Sequence, residues 1–161
     1  MFKTEKFEDR AFKPLSIAVI AVSDTRTLET DTGGALLKSL LEADGHHCFE
    51  RQVVRDEIQL VRAAVQAYVA NPRVDVILTT GGTGFSGRDI TPEAVEPLFD
   101  KRMEGFSVLF HQYSATTVGT SSLQSRATAG LIGTTFVFCL PGKAFSPTSS
   151  TTGTSRAISS N

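Results

Sequence analysis

Val74-Asp75-Val76-Ile77-Leu78-Thr79-Thr80-Gly81-Gly82-Thr83-Gly84-Phe85-Ser86-Gly87 decides the reading of the fold. Val74 to Thr80 is a short apolar run rich in Val and Ile, the pattern of a strand covered on both faces. It passes straight into a loop, Gly81 to Gly87, with four glycines in seven residues. Glycine permits positive φ and close backbone approach, so successive N–H groups can converge into an anion-binding concavity. The loop lacks the Gly-Lys-Ser/Thr of nucleotide triphosphatases and the glycine spacing of the dinucleotide fingerprint. Anion binding and a mobile turn both fit it.

Working outward, Leu15 to Val22 is a second buried-strand candidate, ending in polar Ser23-Asp24-Thr25. Asp31-Thr32-Gly33-Gly34 opens a helix carrying Leu36, Leu37, Leu40 and Leu41, and Gly45 stops it. His46 to Val54 alternates as a strand. Asp56 starts the next helix, whose stripe is Ile58, Val61, Val65, Tyr68 and Val69. Thr91-Pro92 begins another, with Thr as N-cap and Pro in the first turn. The pattern predicts two further helices, Gly105 to Tyr113 and Ser121 to Leu131, then a last strand, Thr134 to Leu140. The order β-α-β-α-β-loop-α-α-α-β predicts a three-layer α/β domain with a mainly parallel sheet. Ligands in such sheets lie beyond the carboxyl ends of the strands. The loops Ser23 to Asp31, Gly81 to Thr91 and the segment from Pro141 fall there.

Composition narrows the function. The 161 residues fit one domain. Sixteen Lys and Arg against 17 Asp and Glu give a net charge of −1, which argues against a nucleic-acid-binding stripe. No apolar run approaches a membrane span, and charged residues 2–13 do not read as a secretory signal. Cys48 and Cys139 are too far apart to form a metal pair, so a soluble protein of the reducing cytoplasm is expected. His46, His47 and His111 are scattered and read as surface or strand residues. Residues 1–13 read as a charged arm and 14–142 as the domain. Residues 143–161 form a Ser/Thr-rich tail that predicts poor order.

Three features carry candidate chemistry. Asp89, five residues after Gly84, would be repelled by a phosphate in the glycine loop unless a hard cation such as magnesium lay between them. An Asx turn before the helix cap explains it in local terms without a metal, and on the residues alone is the preferred reading. Asp56-Glu57-Ile58-Gln59 fits an N-cap with Gln at N3, so capping competes with a metal role. Ser125-Arg126 follows a run of hydroxyls, which could place a guanidinium fork at a phosphate or simply begin a capped helix.

Together these segments resemble the MoaB/MogA family of molybdenum cofactor biosynthesis proteins, and MoaB more closely. The resemblance runs from Phe12 to Gly142. It rests on Pro14 to Arg26, Asp31-Thr32-Gly33-Gly34, Thr79 to Gly84, Asp89-Ile90-Thr91-Pro92-Glu93-Ala94, Met103-Glu104-Gly105-Phe106, Gly119 to Gly130 and Leu140-Pro141-Gly142. It implies a three-layer molybdopterin-binding fold and a homotrimer or homohexamer. It also implies other pathway proteins as partners, and no nucleic acid or membrane. The implied reaction transfers AMP from Mg-ATP to the terminal phosphate of molybdopterin, making Mg²⁺ and ATP the cofactors. Asp56 and Asp89 match the family's catalytic carboxylates and would hold magnesium. Ser23, Asp24, Thr80, Gly81, Gly82, Thr83, Gly84, Ser125, Arg126, Pro141 and Gly142 match positions lining the pocket. The glycine loop has no Lys, and Arg88 is the candidate for that charge. The alternative is a non-enzymatic molybdopterin- or nucleotide-binding accessory protein of the same pathway. After Gly142 the chain departs from the family pattern, which continues there with an amphipathic helix.

Overall fold

The computed structural model describes residues 11–142; the arm before residue 11 and the predicted tail lie outside the described residues. Six strands form one sheet: β1 (Ser16–Val22), β2 (His47–Val54), β3 (Val76–Thr80), β4 (Lys101–Arg102), β5 (Thr128–Ile132) and β6 (Thr135–Leu140). Their spatial order is β2-β1-β3-β6-β5-β4. The first four of these neighbours pair parallel, while β5 runs antiparallel to both β6 and β4. β6, last of the described strands in the chain, thus lies inside the sheet between β3 and β5.

The predicted parallel half is present almost residue for residue. β1 and β3 are apolar on both faces because helices cover both. Ile20, Ile77 and Val137 pack with Val61 and Val65 of α2 (Ile58–Val69). On the other face Ile17, Val19 and Leu78 pack with Leu37 and Leu41 of α1 (Thr32–Ala43). Ile77 is fully buried, so truncating it to Ala would cost about 2–5 kcal/mol. The short α3 (Thr91–Val95) buries Ala94 and Val95 against α2's face. α4 (Glu104–Val118) lays Phe106 on Phe138 at a ring distance of 5.2 Å.

The expectations for the C-terminal half need correction. The predicted helix 105–113 is the longer α4. The predicted helix 121–131 does not form: Gly119–Gln124 is a 3₁₀ segment, and Thr128–Ile132 is β5. Hence Ser125 and Arg126 do not sit at a helix start but on the extended approach to a strand. Gly130 explains part of this. A Cβ there would overlap the Phe99 ring, so the small residue marks a close approach within a strand and not a helix position. β4 is a two-residue edge with no apolar signature, and the sequence reading missed it.

Two caps also differ. α2 follows Glu57, which makes no side-chain cap bond, so Asp56 is outside the helix and does not cap it. α3 has Ile90 at its cap position; Thr91 is inside the helix and sends its hydroxyl to Gly81 O at 2.9 Å. Asp31, by contrast, caps α1 as expected, accepting from Gly34 N at 3.0 Å. His46 is neither on the surface nor in a strand: it is buried, with Nδ1 accepting the Leu15 amide at 3.2 Å. Cys48 is half-buried in β2 and Cys139 buried in β6.

Candidate functional site

β2 follows β1 on one side, and β3 returns to β1's other side, so the connections diverge between β1 and β3. At such a switch point the loops leave the carboxyl ends of the strands in opposite directions and open a crevice. Ser23 ends β1 and its amide bonds Val54 O at 2.8 Å, tying that edge to the end of β2. Ser23 Oγ accepts the amides of Thr25 and Arg26 and turns the chain away. The glycine loop leaves β3 beside it. Gly81 has φ +97° and lies so close that a Cβ would stand 2.5 Å from Val22 O. Gly82 has φ +69°, and a Cβ there would overlap Thr91 Oγ1 and come within 3.4 Å of Asp56 Oδ1. Gly81 and Gly82 are thus in close contact with the end of β1 and with α3.

This geometry brings the end of β2 to the glycine loop, the condition for a shared role of the two expected carboxylates. Asp56 lies beside Gly82. Asp89 lies beside Gly84, where a Cβ would be 2.8 Å from its Oδ2. Asp24 joins them: its Oδ1 accepts the Asp56 amide at 3.2 Å, and its Oδ2 pairs with Arg88. The three carboxylates differ electrostatically. Burial, then the charge of Asp24, pushes Asp56 above the ordinary aspartate range. The hydrogen bond from Arg88 holds Asp24 below it. Burial is the largest single influence on Asp89 and would raise it. The Ser86 hydroxyl and amide, the Gly84 amide and Arg126 together outweigh burial and lower it. Ser86 N donates to Asp89 Oδ2 at 2.8 Å, while the Thr91 amide, which an Asx turn would need, donates to Gly82 O at 2.9 Å, so the expected Asx turn does not form and Asp89 instead ties back the loop before it.

A second corner of the crevice holds an unpartnered hydroxyl. Thr80 Oγ1 is buried without a hydrogen-bond partner. It lies at the start of α1, 3.7 Å from where a Cβ of Gly33 would stand. Free N–H groups at a helix N-terminus attract negative charge. The chain after β6 closes this corner: a Cβ of Gly142 would stand 3.5 Å from Gly81 Cα, with Pro141 just before it. Asp31, at the α1 cap, is held by Arg51 at 2.9 Å.

Arg126 does something the sequence did not indicate. Its Nε donates to Gly84 O at 2.8 Å, its Nη2 to Asp89 O at 2.9 Å, and its backbone amide to Thr83 O at 2.8 Å. Glu93 pairs with the same guanidinium and is thereby held below the usual carboxylate range. The group is a clamp around the buried Thr83 end of the loop rather than a free fork. Ser125 Oγ is turned away to the Ala127 amide at 3.2 Å. Glu93 and Arg51 were missed because their roles depend on partners 33 and 20 residues away.

No group of three or more His, Cys, Asp or Glu among the described residues forms a metal cage. A cation held here would complete its shell with water or with substrate oxygens. Magnesium commonly keeps waters and uses one or two carboxylates plus substrate phosphates. Asp56 and Asp89, beside Gly82 and Gly84, would be the carboxylates of such a set.

The fold is an α/β domain with a glycine loop at its switch point and carboxylates at the rim of the crevice. Comparison sharpens the class. Residues 18–155 match the family described as "Probable molybdopterin binding domain". Molybdenum cofactor biosynthesis protein B of Escherichia coli strain K12 is 43% identical over 131 residues, covering 81% of this chain and 77% of that protein. The protein of that name from Bacillus subtilis strain 168 is 46% identical over 125 residues, 77% and 74% of the two chains. A crystal structure described as molybdenum cofactor biosynthesis protein B superposes with a TM-score of 0.79 at 42% identity, covering 83% of each chain. The tungsten cofactor synthesizing protein MoaB from Pyrococcus furiosus gives 0.72 at 37% identity, covering 82% and 84%. The chain belongs to the molybdopterin-binding MoaB/MogA family, and its role lies in molybdenum cofactor biosynthesis.

Proposed function

We propose that the protein binds molybdopterin and transfers AMP from ATP to its terminal phosphate. The observation that carries the reading is the pairing of two features in one crevice: the unpartnered buried hydroxyl of Thr80 at the start of α1, and the carboxylates of Asp56 and Asp89 around the glycine loop. The first suits a phosphate, the second the cation that accompanies a polyphosphate. In the transfer, an oxygen of the molybdopterin phosphate forms a bond to the α-phosphorus of ATP. The bond from that phosphorus to pyrophosphate breaks. An already anionic phosphate needs no base, so the protein's task is to align the reactants and offset charge. Asp56 and Asp89 would hold Mg²⁺, which when bound neutralises charge on the phosphates. The α1 N-terminus and Thr80 Oγ1 orient one phosphate. Arg126 fixes the loop that bears the cradle.

An assay with ATP, Mg²⁺ and molybdopterin tests this by product mass. The expected product is adenylylated molybdopterin with release of pyrophosphate. Asp56→Asn and Asp89→Asn should each abolish it while the circular dichroism stays native. Binding of molybdopterin without turnover supports the accessory reading, and no binding defeats both. The homo-oligomer is part of the same proposal. α4 has no fully buried residue, and it exposes Val108, Leu109 and Tyr113. Sedimentation of a monomer would refute that part.

A further inference from the structure

The mouth of the crevice holds one contact that the reaction does not need. Arg88 directs both Nε, at 2.8 Å, and Nη2, at 2.5 Å, to the same oxygen of Asp24, Oδ2. The other oxygen of Asp24 faces the Asp56 amide, so the guanidinium is bound to Asp24 and near enough for its charge to act on Asp56. Arg55 is a looser neighbour of Asp24 at 4.0 Å and shares itself with Glu57 at 3.8 Å. Arg126 is committed to Glu93 and the loop carbonyls.

We propose that the Arg88–Asp24 pair is a displaceable latch: a divalent cation drawn to the carboxylates replaces the guanidinium, which then turns to the incoming polyphosphate. This rests on the cation-assisted reading above. Two observations make the exchange mechanically easy. The Arg88 side chain is 63% exposed, and exposed ion pairs are weak enough to give way to a competing charge. The space beside Gly87 is open, with no heavy atom within 4 Å of a built Cβ, while the Arg88 amide stays on Ser86 Oγ at 3.3 Å, so the exchange is a rotation of the Arg88 side chain on a fixed backbone. The Arg88 fork released in this way suits phosphate oxygens, which planar guanidinium groups grip in pairs. Arg88 is then a positioning residue that alternates between two anions. It guards Asp24 before loading and steadies the phosphates afterwards.

Manganese stands in for magnesium in the test because its free ion is counted by electron paramagnetic resonance. Mn²⁺ is titrated without nucleotide into the unsubstituted protein, Arg88→Gln and Asp56→Asn. Losing the competing guanidinium should tighten Mn²⁺ binding in Arg88→Gln by about two- to fivefold. With Mn²⁺ saturating, inorganic triphosphate should bind Arg88→Gln about fivefold or more weakly than the unsubstituted protein. Mn²⁺ affinity unchanged or lowered in Arg88→Gln overturns the latch, as does unchanged triphosphate affinity. Failure of Mn²⁺ to bind any of the three proteins, or binding untouched by Asp56→Asn, overturns the cation site itself and the latch with it.

Discussion

Substituting Gly82 by Ala attacks the crevice at its tightest point. Gly82 has φ +69°, which costs a residue with a Cβ about 1–2 kcal/mol. The new methyl would also overlap Thr91 Oγ1, the hydroxyl that donates to Gly81 O at 2.9 Å. Thr91 is fully buried, so breaking that bond inside the protein adds about 1–3 kcal/mol. The sum is about 2–5 kcal/mol. At about 3 °C per kcal/mol for a domain of this size, Tm should fall by roughly 6–15 °C. Gly87→Ala is the matched control in the same loop. It has ordinary φ and open space around it, so it should be neutral or stabilise by about 0.4–1 kcal/mol through the unfolded chain. Urea denaturation with both variants measures the difference. A Gly82→Ala protein within about 0.5 kcal/mol of the unsubstituted one, or equal damage from Gly87→Ala, would refute the close-approach account of the loop.

Arg126→Ala should cost about 2–4 kcal/mol in urea melts, because it strips the carbonyls of Gly84 and Asp89 of a charged donor. Arg126→Lys should recover less than half, since an ammonium cannot span both oxygens. Asp56→Ala should carry no capping loss, as the carboxylate lies outside α2, and a Tm no lower than that of the unsubstituted protein checks this. Asp56 is held above the ordinary range, so the folded state keeps its proton longer than the unfolded chain. Its unfavourable contribution therefore sets in as pH rises through the folded value and is absent below the unfolded one. Asp56→Asn should accordingly raise Tm in cation-free buffer at neutral pH and lose that advantage on acidification. By the same sign, Mn²⁺ binding should weaken at pH values where an ordinary aspartate is still ionised, which a titration series would show.

What could be read from the sequence was whatever local pattern dictates. β1 and β3 declare themselves through unbroken apolar runs, α1 and α2 through their leucine and valine stripes, and the α1 cap through Asp31. The glycine loop declares its place through four glycines after a strand. The errors arose where tertiary contacts override local preference. Leu123-Gln124-Ser125-Arg126-Ala127 suits a helix in isolation, yet β6 and Phe99 recruit the following residues into a strand. Asp56 fits a capping pattern but is drawn to the Asp24 loop instead, which is why the cap reading failed and the carboxylate cluster appeared. Arg126 was read by its charge alone; its partners Glu93 and Gly84, 33 and 42 residues away, left no trace in spacing.

The position of β6 has a consequence for how the chain acquires its shape. Until residues 135–140 have emerged, β2-β1-β3 and β5-β4 are separate half-sheets, each with an unsatisfied edge. Sequence-distant pairing of this kind delays closure, because loop entropy must be lost before the central ladder rewards it. A ribosome-bound chain lacking β6 would therefore present β3's open edge to its surroundings, where another strand could add. The crevice, whose Gly81 amide bonds Leu140 O at 3.0 Å, is completed only when that last ladder zips shut.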